Sequence, residues 1–312
     1  MTLKKTCCIL LMACLLTACR QTDLSALLKP VVEGLSVHAD YSLADITFRL
    51  SPDGNVTVCN VECTQEGTTV RTVPAERDGD GGYRCRLTGL EPETDYTVQV
   101  VYGNGMDEEL SSGIAFRTAP SPFPPALLKY LLEAFDEDHD GVLSTQERGV
   151  VKEMLISEIP LENLEGLDLF PNLERLTCGQ NGIKVLDVSR LKNLVFLACG
   201  SDPYRELRFD NPHLENIYLI NTRLEAFDSA GLPALEHFSA HWNSFKRVDF
   251  TGSPLLWDLG LWGTELETLD LTPWPQLEYV NLKNNSRLKT VRIRRDAATV
   301  LELDPETEVE YI

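Results

Sequence analysis

The chain has 312 residues, with 28 basic against 48 acidic side chains and a formal net charge of −20. That acidity excludes nucleic acid as a natural partner, because phosphate contacts need clustered lysine and arginine. A hydrophobic content of 43% excludes wholesale disorder, and the length exceeds a usual domain of about 100–200 residues, so two or three domains are expected.

Residues 1–18 read as an export signal. Lys4 and Lys5 give a basic start, and Thr6 to Leu16 is an apolar run too short to cross a bilayer as a helix. The segment ends in Leu16-Thr17-Ala18-Cys19, which resembles the bacterial lipobox. That resemblance implies lipidation of Cys19 and then cleavage before it. Each buried methylene contributes about 0.8 kcal/mol, so an acylated terminus anchors firmly in the membrane. Loss of Lys4 and Lys5 takes the charge from −20 to −22. Residues 19–29 form a tether, and the expected location is the bacterial outer membrane. Arg20-Gln21 is not an acidic export tag, so both the surface and the periplasmic face fit.

Residues 30–119 alternate apolar and polar side chains in short runs broken by turns. Ile46 to Leu50 and Val56 to Val58 read as strands split by Ser51-Pro52-Asp53-Gly54. Tyr96, Val98, Val100 and Tyr102 share one face. The preceding Leu90 to Asp95 and Tyr96 itself resemble the E–F corner of a fibronectin type III domain, which implies an all-β sandwich with Tyr96 at the corner. Such modules are usually spacers. Export permits disulfides, and Cys59, Cys63 and Cys85 can supply one bridge with a thiol left over.

Pro120, Pro122, Pro124 and Pro125 make residues 120–125 a semi-rigid linker. From Ala126 to Phe135 the leucines fall at helical spacing. The helix runs into Asp136-Glu137-Asp138-His139-Asp140-Gly141-Val142-Leu143-Ser144-Thr145-Gln146-Glu147, which has the full EF-hand pattern. Carboxylates of Asp136, Asp138 and Asp140 converge on Ca2+, Gly141 makes the turn, and the Val142 carbonyl and bidentate Glu147 complete the shell. Ser144 acts directly or through water. No second loop is visible in the sequence, so the ion is expected to be structural, in a helical cap over 126–156.

Residues 157–312 carry repeats. Leucines at 173, 194, 214, 235, 256 and 277 open units spaced 21, 20, 21, 21 and 21 residues apart. Leu173, Leu176, Cys178, Asn181, Ile183 and Leu186 follow leucine-rich-repeat spacing. Each unit gives one short strand, and stacking builds a parallel sheet about 4.8 Å between neighbours. A partial unit at Leu164, Leu167 and Leu169 precedes the six. Cys178 and Cys199 hold one inward position in successive units and read as stacked core thiols. The second unit lacks its asparagine and leucine at Ser201 to Tyr204, where a local loop is expected.

The order of parts, a calcium loop followed by repeats with cysteine at the third apolar position, resembles leucine-rich-repeat surface lipoproteins of Bacteroidetes. The resemblance covers residues 126–295 and implies that the hand packs on the first repeat as a cap.

Strand positions between the leucines face the concave side. The candidate ligand residues there are Tyr218, His237, His241, Trp242, Asp258, Trp262 and Tyr279, whose rings suit a protein partner or a glycan. Tyr218, Trp242, Trp262 and Tyr279 are expected to form a ring ladder. His237, His241 and Asp258 offer a zinc set, although two histidines and an acid are common by chance on such a face. No nucleophile elbow, phosphate loop, dinucleotide fingerprint or zincin helix is present in the sequence. The sequence therefore reads as a non-enzymatic, lipid-anchored binding protein. A structural envelope protein without a discrete ligand is the next reading, and a carbohydrate-active enzyme the third.

Overall fold

The computed structural model describes residues 29–52, 56–104 and 107–312; the segment carrying Cys19 lies outside them. The chain divides into two compact units, Met1–Pro120 and Ser121–Ile312.

In the first unit, strands form where apolar residues alternate. The strands are β1 (Val31–Ala39), β2 (Ala44–Ser51), β3 (Val58–Gln65), β4 (Thr68–Pro74), β5 (Glu76–Arg77), β6 (Tyr83–Leu87), β7 (Asp95–Gly103), β8 (Glu108–Leu110) and β9 (Ile114–Arg117). They make two sheets, ordered β1-β2-β6-β5 and β4-β3-β7-β8, with β9 also on β7. Ile46, Phe48 and Leu50 from β2 and Tyr96, Val98 and Val100 from β7 share one core, the period of two placing each set on the inner face of its sheet. The Tyr96 hydroxyl accepts the N–H of Glu91 at 2.9 Å, so the tyrosine corner is formed. β3 starts at Val58 rather than Val56, because its partner β7 ends at Gly103, whose carbonyl takes the N–H of Thr57. The possible bridge is not made. Cys59, Cys63 and Cys85 are free thiols, and burial pushes each up to about 11.

The second unit opens with α1 (Pro125–Phe135), whose Leu127, Leu128 and Leu131 are buried. A proline at the first helical position presets φ and removes an N–H that would have no partner there. After a loop comes α2 (Thr145–Val150), only six residues long. The helical cap ends sooner than 156, because Glu153–Ser157 is already a sheet strand, with Met154 opposite Leu176 and Ile156 opposite Cys178. Alternation decides this: Met154 and Ile156 are buried while Leu155 is exposed.

Eight strands stack in parallel: Glu153–Ser157, Arg175–Gly179, Phe196–Gly200, Asn216–Ile220, His237–Ser239, Asp258–Gly260, Tyr279–Asn281 and Val300–Glu302. Eight rungs replace the six complete units expected. The register places Val151 and Ala298 at the opening position of the outer two, where the others have leucine. The return side carries short strands, among them Val185–Asp187 with Glu206–Arg208 and Ala226–Asp228 with Arg247–Asp249. Leu176, Leu197, Ile217, Phe238, Leu259 and Val280 point inward and are fully buried. Phe227, Phe238 and Phe250 pack together with centroids 4.2–5.4 Å apart. Cys178 and Cys199 pair in register, with sulfurs 2.8 Å apart.

A buried polar column runs beside this core. The side chain of Asn243 accepts the N–H of Thr222 at 3.0 Å and donates to the Leu219 carbonyl at 2.7 Å. Asn285 does the same for Thr264 and Leu261. In the second unit Asp202 takes the asparagine position and the buried Tyr204 the leucine position, so the expected extra loop is a standard rung turn with substituted residues.

Candidate cation loop and concave face

The loop between α1 and α2 folds around its own acids. Asp136 accepts the N–H groups of Asp140 and Gly141, at 3.2 and 2.9 Å. Gly141 has φ +84°, which glycine adopts without strain. Asp140 accepts the N–H of Val142 at 2.8 Å. Glu147 reaches back to the N–H groups of Glu137 and Ser144, at 2.8 and 2.7 Å, while the Ser144 hydroxyl accepts the N–H of Glu147 at 3.1 Å as a capping box. Carboxylate oxygens of Asp136, Asp138 and Glu147 lie within 4.8 Å of one another. The loop thus gathers three of the six expected ligand residues at their side chains. Asp140 turns to the backbone of Val142, and Ser144 caps α2.

Asp136 and Glu147 are buried, and no lysine or arginine among the described residues forms an ion pair with Asp136, Asp138 or Glu147. Burial works to raise the Glu147 carboxyl, but hydrogen bonds from Ser144, Glu137 and Asp138 outweigh it, so the group sits below the ordinary range. An all-oxygen donor set with uncompensated negative charge suits a hard divalent cation. Around the loop, Leu143 is buried, and both Phe123 and Phe135 lie against Phe170, with centroids 6.1 and 6.2 Å apart. Gly166, at φ +88°, leaves the room that the Phe123 ring occupies. The loop and α1 are therefore packed on the first turn of the solenoid.

On the concave face, cross-strand register sets the neighbours. The Arg175 guanidinium lies 4.0 Å from the Phe196 ring centroid, Phe196 meets Tyr218 at 5.4 Å, and Tyr218 meets His237 at 4.9 Å. His237 Nδ1 and Asp258 share a hydrogen bond of 2.7 Å. Two residues along, Trp262 meets His241 at 5.6 Å and Trp242 at 4.3 Å, both edge to face. The expected four-ring ladder is therefore split into two clusters. Tyr279 stands apart from both, its hydroxyl accepting from Asn281 Nδ2 at 3.5 Å.

The zinc set does not assemble. His237 is committed to Asp258, and His241 Nε2 lies 2.9 Å from the Ser239 hydroxyl. Among the described residues, only Asp136, Asp138 and Glu147 come together closely enough to share a metal ion. Burial, helped by His237 nearby, lowers the His241 pKa and favours its neutral form. Phe196, Ser239 and Gly260 stand on this face at the outward positions that the repeat register assigns to them, although the candidate ligand residues do not include them.

Trp242 is an unusual choice for its backbone. Its φ is +58°, in a column where the neighbouring units place Gln180, Ser201, Asn221, Gly263 and Asn284. A left-handed conformation costs a bulky residue about 1–2 kcal/mol. The ring is 53% exposed, so core packing does not require it. Gly263 makes room for it: a Cβ there would come within 2.8 Å of the Trp242 ring.

No protein-family model and no curated protein matches the sequence. Solved structures resemble parts of the chain. The fibronectin type III domain of human fibronectin type III domain containing protein 3 is 19% identical over 31% of this chain and 90% of its own, with a TM-score of 0.24. The functional domain of InlJ from Listeria monocytogenes, which includes a cysteine ladder, is 17% identical over 53% of this chain, with a TM-score of 0.34. This chain spans 46% of that domain. An internalin, InlF, from the same organism is 11% identical over 61% of this chain and 95% of its own, with a TM-score of 0.23. The strand order described above defines the fold class: a fibronectin type III-like sandwich, then a parallel β-solenoid of leucine-rich-repeat spacing.

Proposed function

We propose that the protein is a lipid-anchored, non-enzymatic binding or adhesion protein of the bacterial outer membrane, of the Bacteroidetes surface-lipoprotein kind. Its concave solenoid face engages a protein or glycan ligand, and an EF-hand loop holds a structural Ca2+ that caps the first turn. The observation that carries the binding role is Trp242, an exposed ring kept in a left-handed conformation that the core does not need. The cap role is supported by the contacts of Phe123 and Phe135 with Phe170, which join the loop's helix to the solenoid. The membrane role rests on the lipobox-like run ending in Cys19.

Adhesion of cells displaying the wild-type chain, compared with cells displaying a Trp242→Asn/Trp262→Ala variant, tests the reading. Equal adhesion at equal display removes the concave face as the binding surface.

A further inference from the structure

We infer that the concave face takes a neutral oligosaccharide, with Trp242 as its stacking platform; this rests on the reading of that face as the ligand-binding one. Three observations narrow the ligand.

The first is charge. Arg175 pairs with Glu153 at 3.6 Å, His237 with Asp258 at 2.7 Å and Lys283 with Glu302 at 2.8 Å, so the basic groups of the face are already matched by its own acids. The leading edge of the sheet adds Glu215, Glu236 and Glu278, all exposed. An anionic polymer would meet an acidic rim and, among the described residues of the concave strands, bases already paired with acids, and like charges repel. A neutral ligand meets neither obstacle.

The second is shape. Between the Tyr218–His237 cluster and the Trp242–Trp262 cluster the floor is Ser239 and Gly260. A Cβ on Gly260 would come to 3.3 Å from the Ser239 hydroxyl and 3.4 Å from His241 Nε2, so glycine keeps this floor low. Tyr218 and Trp262 stand two rungs apart, about 10 Å at the usual strand spacing. That span matches a disaccharide.

The third is chemistry. A pyranose presents C–H groups on its faces and hydroxyls around its edge. Flat aromatic rings suit the faces, and a few fixed polar groups suit the edge. Ser239 between the two ring clusters, Asp258 beside His237 and His241 beside Trp262 supply hydroxyl, carboxylate and imidazole groups. Trp262 braces Trp242 edge to face, holding the exposed ring in place before any ligand arrives.

The test uses the detergent-solubilised full-length chain and reads tryptophan fluorescence and calorimetry. The probes are neutral hexasaccharides of glucose, mannose and N-acetylglucosamine, with heparin, polygalacturonate and decalysine as charged comparators. The expected result is saturable binding of at least one neutral hexasaccharide. Trp242→Asn should weaken it at least tenfold, and Tyr311→Ala should leave it unchanged, since Tyr311 is exposed on the return side, away from the concave strands. Asparagine tolerates a left-handed backbone, so that variant folds. If no neutral hexasaccharide binds, or heparin or decalysine binds more tightly than any of them, the inference is overturned. Adhesion that Trp242→Asn/Trp262→Ala still abolishes would then leave the concave-face reading standing. If a hexasaccharide binds equally well to that double variant, both fall together.

Discussion

Asp202 accepts the backbone N–H groups of both Asn181 and Gly182, at 2.8 and 2.6 Å, from a position only 1% exposed. The hydroxyl of Tyr204 donates to its other oxygen at 3.2 Å. A buried carboxylate is thus held by three donors, in a column whose other buried members are asparagine and threonine and which the partly buried Asp304 ends. Asp202→Leu strips partners from two backbone groups, and each unsatisfied group costs about 1–3 kcal/mol. Asp202→Asn keeps the accepting oxygen and should recover most of the loss. Urea unfolding of the two variants measures the difference; equal midpoints would mean that the column contributes little.

The cation loop makes the second prediction. Ca2+ that binds only the folded chain stabilises it by mass action, by about 2.7 kcal/mol at a hundredfold excess over Kd. Thermal unfolding of the solenoid should shift upward with Ca2+ and return with chelator. Glu147→Gln should lose that shift. Equal melting temperatures with ion and chelator would remove the cap role.

Core and face should separate cleanly. Trp242→Asn exchanges a bulky left-handed residue for one that tolerates that conformation, so the relief offsets the lost contact with Trp262 and stability should change by less than about 1 kcal/mol. Leu259→Ala opens a cavity in the stacked core and should cost about 2–5 kcal/mol. Chemical unfolding of both variants checks the rung register. The reverse ranking would place Trp242 inside and Leu259 outside.

His241 sets a pH dependence. Its folded pKa lies below the ordinary value because burial, and then His237, disfavour the charged form. The unfolded chain therefore binds more protons than the folded one, and the neutral-imidazole contribution is complete above pH about 6.5 and fades as pH falls. Groups around the ring are Ser239, His237 with its partner Asp258, and Trp262. Between pH about 7.5 and 5.5, wild type should lose more melting temperature than His241→Gln. Parallel slopes for the two would assign the loss elsewhere.

The anchor is tested in cells. Chain lipidated at Cys19 should partition into detergent and resist salt, whereas Cys19→Ser should be released in soluble form. Soluble wild type after correct export would remove the lipobox reading.

The repeat length was legible because the solenoid needs one inward leucine set per turn, and the Tyr96 corner because its hydrogen bond demands a fixed offset from Glu91. The outer rungs are harder to read: Val151 fills the leucine position with less bulk, and Ala298 holds the same register position but is exposed. Asp202 and Tyr204 were misread for a similar reason, since a slot defined by its hydrogen bonds admits any residue with the right acceptor, and one defined by volume admits any ring that fits. On the concave face, sequence spacing located the residues but not their partners. Tyr279 and Trp262 occupy nearby rungs, yet the tyrosine hydroxyl accepts from Asn281, which Glu302 of the next rung also holds. Side-chain choices of that kind depend on the next rung, about twenty residues off in sequence.

Each rung touches only the rung before and the rung after it, so its outward residues share no core with the rest of the face. Exchanging His237 or Trp262 alters the outward surface without reopening the interior beneath, where Phe238 and Leu261 stay sealed. The chemistry of the face can therefore drift one strand at a time while the folding problem remains solved. Inward residues have no such freedom, because a change at one must be absorbed by both neighbours. Selection on such a chain separates into two nearly independent alphabets, one read by the core and one read by whatever the face meets.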